Sequence, residues 1–131
     1  MQITEKPKSG GGTSFETSLG AMTDSFGRTG ERRIRVTVSH SDPKPTRGVW
    51  VAVSAPMVAD GFESVALFTE LKQCRVVALN RKTPKVLAAV TDAVRAEVAG
   101  ALDHFTTTTD IEGGLNYALH KLRERLDRAA W

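Results

Sequence analysis

Residues 33–39 read Arg33-Ile34-Arg35-Val36-Thr37-Val38-Ser39, and the alternation within them decides the fold. Ile34, Val36 and Val38 interleave with Arg33, Arg35, Thr37 and Ser39, the period of two that a half-buried strand shows. The next segment, Ser41 to Gly48 (SDPKPTRG), holds two prolines and a glycine and cannot continue a central ladder. Val49, Val51 and Val53 then resume the alternation, so the two runs predict a hairpin. Pro56 ends the second run, and Asp60-Gly61 makes a turn. Ser64 to Leu79 is apolar and β-branched enough for one or two further strands. The sheet is therefore expected to be antiparallel.

Upstream, Gln2 to Lys6 and Thr13 to Leu19 predict a weak hairpin around the Ser9 to Gly12 turn, within residues 1–30. Downstream of Asn80 the period changes. Thr83 and Pro84 read as an N-cap and first helical residue. Leu87, Val90, Val94, Val98 and Ala101 then recur every three or four residues, predicting a helix over 83–104. Thr106 to Thr109 are poor helix formers. Asp110 caps a second expected helix, 110–130, with Ile111, Leu115, Leu119, Leu122 and Leu126 on one stripe. Strands over 33–79 followed by two amphipathic helices predict an α+β fold in one domain spanning 1–131, with the helices over one face of the sheet.

The bulk composition agrees with a globular chain. Of 131 residues, 40% are apolar and 25% charged, and no run reaches the roughly 18 to 20 apolar residues that a bilayer span needs. The opening residues lack the apolar centre of a signal peptide, so an unsecreted protein with no membrane partner is expected. The lone Cys74 makes no internal disulfide. The net charge of +3 is unevenly spread: residues 31–85 carry ten Lys or Arg against five acids, residues 86–131 five against seven. The first of these regions is the better suited to an anionic partner.

Two helices cover one face of a sheet and leave the other bare. That second face carries Arg35, Thr37, Ser39, Trp50 and Ser54, a polar set with one aromatic. Arginines on a strand are often just its solvated side. Here Arg33, Arg35, Gln73 and Arg75 offer charge and hydrogen bonds, and Trp50 offers a plane on which an unpaired base can stack, which points to single-stranded nucleic acid. Catalysis has less support. His40, Asp42, Cys74, Asp103, His104 and His120 supply the residue types of acid–base or nucleophilic chemistry, but no spacing ties them together. No catalytic residue, metal, cofactor or small-molecule substrate is expected. Because one small sheet is short of area for two long apolar stripes, Leu115, Leu119, Leu122 and Leu126 are expected at a subunit interface. A cellular single-stranded nucleic-acid-binding module or RNA chaperone is the alternative within the same chemistry.

The strand pair resembles the coat proteins of the single-stranded RNA bacteriophages, the levivirus family. The likeness lies in Arg35-Val36-Thr37-Val38-Ser39, a Pro-bearing polar turn, then Arg47 and Val51-Ala52-Val53-Ser54-Ala55-Pro56-Met57-Val58, and in the order of elements. The resemblance implies an obligate homodimer whose sheets join edge to edge, whose helices cross over the partner's sheet, and which assembles into an icosahedral shell, the virion, in the bacterial cytoplasm. It also implies an inner sheet face turned toward single-stranded RNA, where family members bind a hairpin that acts as translational repressor and packaging signal. Arg35, Thr37 and Ser39 match that face in type, and Gln73 and Arg75 fall beside them on the later strand. Trp50 and Ala52 depart from the hydroxyl and lysine of familiar members, and the loop from Met57 to Glu63, expected at the shell's symmetry axes, is short.

Overall fold

The computed structural model describes residues 2–8, 11–23, 29–40, 48–59, 62–64, 70–78, 83–106 and 110–127. Among the described residues seven strands come first: β1 (Thr4–Pro7), β2 (Thr13–Thr23), β3 (Thr29–His40), β4 (Gly48–Ala55), β5 (Met57–Ala59), β6 (Phe62–Ser64) and β7 (Glu70–Ala78). Helix α1 (Thr83–Leu102), a 3₁₀ turn (Asp103–Thr106) and helix α2 (Ile111–Asp127) follow. The sheet runs β1-β2-β3-β4-β7, every pair antiparallel, with β5 alongside β3 and β6 alongside β5. The fold is α+β, as the segregation of strand and helix periods requires.

Register makes the sheet two-sided. Val36 pairs with Phe15 on one side and Val53 on the other, and Val38 pairs with Val51. Ile34, Val36, Val38, Val49, Val51 and Val53 are all fully buried. Each such side chain contributes roughly 1.5–3 kcal/mol, so a slip of one residue, which would turn the whole set outward, is strongly excluded. Both helices lie on this apolar side, α1 against β3 and β4 and α2 against β4 and β7. The α1 stripe is buried at Leu87, Val90, Val94, Val98 and Ala101, as its spacing predicts.

Several expectations are corrected. The N-terminal hairpin is present, with β1 paired to β2; β2 runs further than expected, to Thr23, and pairs with β3, which starts at Thr29 instead of Arg33, in one continuous sheet. The segment expected as a loop from Met57 holds the short antiparallel pair β5–β6. Pro56 does end β4, but the chain bends there and re-pairs with β3 through Arg32↔Met57 and Glu31↔Val58. Two bonds hold that bend: the Arg33 N–H donates to the Pro56 carbonyl at 2.9 Å, and buried Arg32 donates from Nη1 to the Ala55 carbonyl at 2.6 Å. The first helix ends at Leu102, two residues early, and the 3₁₀ turn then carries Phe105 against Gly114, where an added Cβ would lie 2.4 Å from the ring. The second helix is described over Ile111–Asp127, and residues 128–130 of the expected span lie outside the described residues. Asp110 caps it as expected, its Oδ1 accepting from the Gly113 N–H at 3.0 Å.

The leucines of α2, expected at a subunit interface, pack within this chain. Leu115, Leu122 and Leu126 are buried in this chain's own core, with Ala118 in line and Leu119 only partly covered. At 100° per residue Ala118 and Leu119 lie on opposite sides of the line through Leu115, Leu122 and Leu126, and the chain buries the Ala118 side while Leu119 sits at the edge of the covered face. Because both helices find apolar surface on their own sheet, the stripes alone do not demand a second subunit. Leu122→Ala is expected to cost about 2–5 kcal/mol, and Leu119→Ala clearly less, in urea denaturation followed by circular dichroism. Equal losses would place Leu119 in the core as well.

Candidate nucleic-acid interface

The face opposite the helices is built by the alternate residues. Across it Arg35 pairs with Ser54, Thr37 with Ala52 and Ser39 with Trp50, and β7 adds Gln73 beside Ala52 and Arg75 beside Trp50. Only the backbones of Gln73 and Arg75 are described, and they take the register positions expected of them. On the other flank Thr37 pairs with Ser14 and Ser14 with Lys6, so exposed Lys6 stands on the same face. Arg33, Arg35, Thr37, Ser39, Trp50 and Ala52 are partly exposed, whereas Ser14, Glu16 and Ser54 lie buried between larger neighbours. The expected polar residues thus come together on one surface.

The surface is not simply basic, however. Glu16 pairs across the ladder with Arg35. Its Oε1 accepts from Arg33 Nη1 and its Oε2 from Arg35 Nε, both at 3.0 Å. Arg33 in turn donates from Nε to Glu31 Oε1 at 2.9 Å. The Glu16 side chain is 9% exposed, and the Arg33 and Arg35 side chains that hold it are 33% and 25% exposed. Two arginines and two glutamates leave the middle of the face neutral, so Arg33 and Arg35 are members of an ion network and not plain phosphate attractors. Burial pushes the Glu16 carboxyl up, but the hydrogen bonds and charges of Arg35 and Arg33 outweigh it and hold the group below its ordinary value. Arg33 lowers Glu31 likewise, chiefly through its hydrogen bond, with help from Ser18.

The residues that would serve catalysis are dispersed. Asp103 and His104 sit in the 3₁₀ turn, where the His104 ring lies 4.6 Å from that of Tyr117. His120 is exposed on α2, 3.6 Å from Glu124. Cys74 holds a β7 position paired with Val51, His40 closes β3, and Asp42 lies outside the described residues. Among the described residues no three His, Cys, Asp or Glu side chains cluster to hold a metal ion. No described helix is long and apolar enough to cross a membrane.

Glu16 and Lys6 are the members of this face that the sequence reading missed. Phe15 turning inward forces Glu16 outward, a local signal that was present. Its meeting with Arg33 and Arg35 depends on a register across 17 and 19 residues, which alternation alone leaves open.

A carboxyl held low in the folded state stabilises it fully above the ordinary glutamate pKa of about 4.3, and that contribution disappears as pH falls through the lowered folded value. Glu16→Gln should therefore flatten the acid limb of stability below about pH 4.3, read as urea midpoints over a pH series. An acid limb as steep as that of the wild type would assign the loss to other carboxylates.

No family model, curated protein or solved structure matches this chain, so a functional reading stands on the arrangement of its own residues.

Proposed function

We propose that the chain is a structural coat protein that dimerises and assembles into an icosahedral shell around single-stranded RNA, with the uncovered sheet face toward the RNA. The observation that carries this reading is the division of the sheet. Both helices occupy one side, and Arg33, Arg35, Thr37, Ser39, Trp50 and Ser54 share the other. A broad sheet with hydroxyls, guanidiniums and one indole meets RNA through phosphate hydrogen bonds and base stacking, the two sequence-tolerant modes that packaging needs. Gln73 and Arg75 extend that face toward β7. This strand ends the sheet and pairs only with β4 among the described residues, so its outer edge offers the backbone groups through which two sheets can join. On this reading a dimer doubles the face, an RNA hairpin seated on it serves as repressor and packaging signal, and the virion is where the protein resides. The helices would exchange their own sheet for the partner's by domain swapping, with the leucines of α2 buried in either arrangement.

The burial of Leu115, Leu122 and Leu126 within a single chain favours a second reading, a cellular single-stranded nucleic-acid-binding module that needs no shell. Electron microscopy of the protein expressed alone separates the two. Uniform RNA-containing particles are expected, and a monodisperse monomer in light scattering would remove the coat reading.

Trp50→Ala tests the face itself. Loss of one stacked base is expected to weaken binding of single-stranded RNA by about 1–3 kcal/mol while leaving the salt dependence nearly unchanged. Filter binding across a salt series measures both quantities, and wild-type affinity in this variant would make the indole a bystander.

A further inference from the structure

Glu16 is oddly placed for a surface that takes RNA. It lies at the centre of the polar face, its side chain only 9% exposed, and each carboxylate oxygen holds one of the two arginines best placed to meet a phosphate. If its purpose were only to satisfy those arginines, a site at the rim would serve, as Glu31 does for Arg33 with 38% of its side chain exposed. A carboxylate held by two guanidiniums does something else. It draws them toward the sheet, and its negative charge opposes any anion arriving from above. A phosphate and a carboxylate compete for the same N–H groups because each offers a pair of oxygens that the planar fork of a guanidinium can grip bidentately.

We propose that Glu16 is an internal competitor for RNA phosphate at Arg33 and Arg35, setting the affinity of the face below what its arginines could reach. The inference rests on the RNA-binding reading of this face and deepens it. A phosphate gains the two guanidiniums only by sharing them with, or taking them from, a resident anion. Fewer counterions are then released than two unpaired arginines would release, so binding by this part of the face is weak and shallow in its salt dependence. Weak contacts repeated over many subunits suit a surface that must hold RNA of any sequence without trapping it in a wrong arrangement, since multivalency restores the total.

The discriminating feature is the sign of the effect. Removing a residue that merely supports the face weakens binding, whereas removing a competitor strengthens it. The test is filter binding of a single-stranded oligouridylate, whose bases carry no fixed charge, to the wild type, Glu16→Gln and Glu16→Thr across a salt series at pH 7. Both variants should bind roughly fivefold tighter or more at 0.1 M salt, with a salt slope steeper by about 0.7 for each arginine released. Adding Arg35→Ala to Glu16→Gln should reverse most of the gain. Unchanged or weaker binding in folded variants, with the wild type binding normally, overturns the proposal and leaves the RNA-binding reading in place. No binding by wild type or variants at low salt overturns both. If neither variant folds by circular dichroism, Glu16 is a structural residue and the proposal fails.

Discussion

The register between β3 and β4 is the constraint on which the rest of the molecule depends. Once Val36 stands against Val53 and Val38 against Val51, every alternate residue of two long strands is committed to the same side. That side must be covered, because six fully buried aliphatic side chains in two neighbouring strands cannot stay in water. The helices supply the cover, with Arg125 to Glu97 at 3.2 Å tying α2 to α1 across their outer surfaces. The opposite face inherits whatever is left, and what is left is polar. Function, on this account, is written in the residues that the core did not need.

The same face shows why composition is a poor guide to local charge. Residues 31–85 have twice as many basic as acidic residues, yet the centre of the sheet is neutral because Glu16, from a strand outside that window, is folded into it. Cross-strand geometry brings a third charge between two others and lowers its proton affinity in doing so. An exposed pair of this kind contributes little to stability. With Glu16 mostly covered, the arrangement matters instead for where positive potential can emerge, which on the β1 flank is toward exposed Lys6.

Legibility in the sequence followed the range of the interactions. The strand alternation around Val36, the cap at Asp110 and the apolar period of α1 are local, and each was readable from a window of a few residues. The membership of the polar face followed from parity and was readable too. What escaped depended on distant partners. The bend at Pro56, held by Arg32 and Arg33, turns a strand end into the start of another, and no local signal separates those outcomes. Ala118 is fully buried and Leu119 only partly covered, an outcome that depends on how the helix is rotated against the surface it packs on and not on the hydrophobicity of the two residues.

The contact between Arg95 and Glu5 has a consequence for how the chain comes to be folded. The two lie 90 residues apart in sequence, joined at 2.6 Å, and Arg95 also stands over the Phe15 ring at 6.0 Å from its centroid. Strand β1 is exposed along its whole length, so its anchorage is its ladder to β2 together with this link to α1. On a ribosome the first strand therefore emerges long before the helix that fastens it. During that interval its edge hydrogen-bonding groups are open to any neighbouring chain, so the order of synthesis exposes this edge to association before the helix arrives.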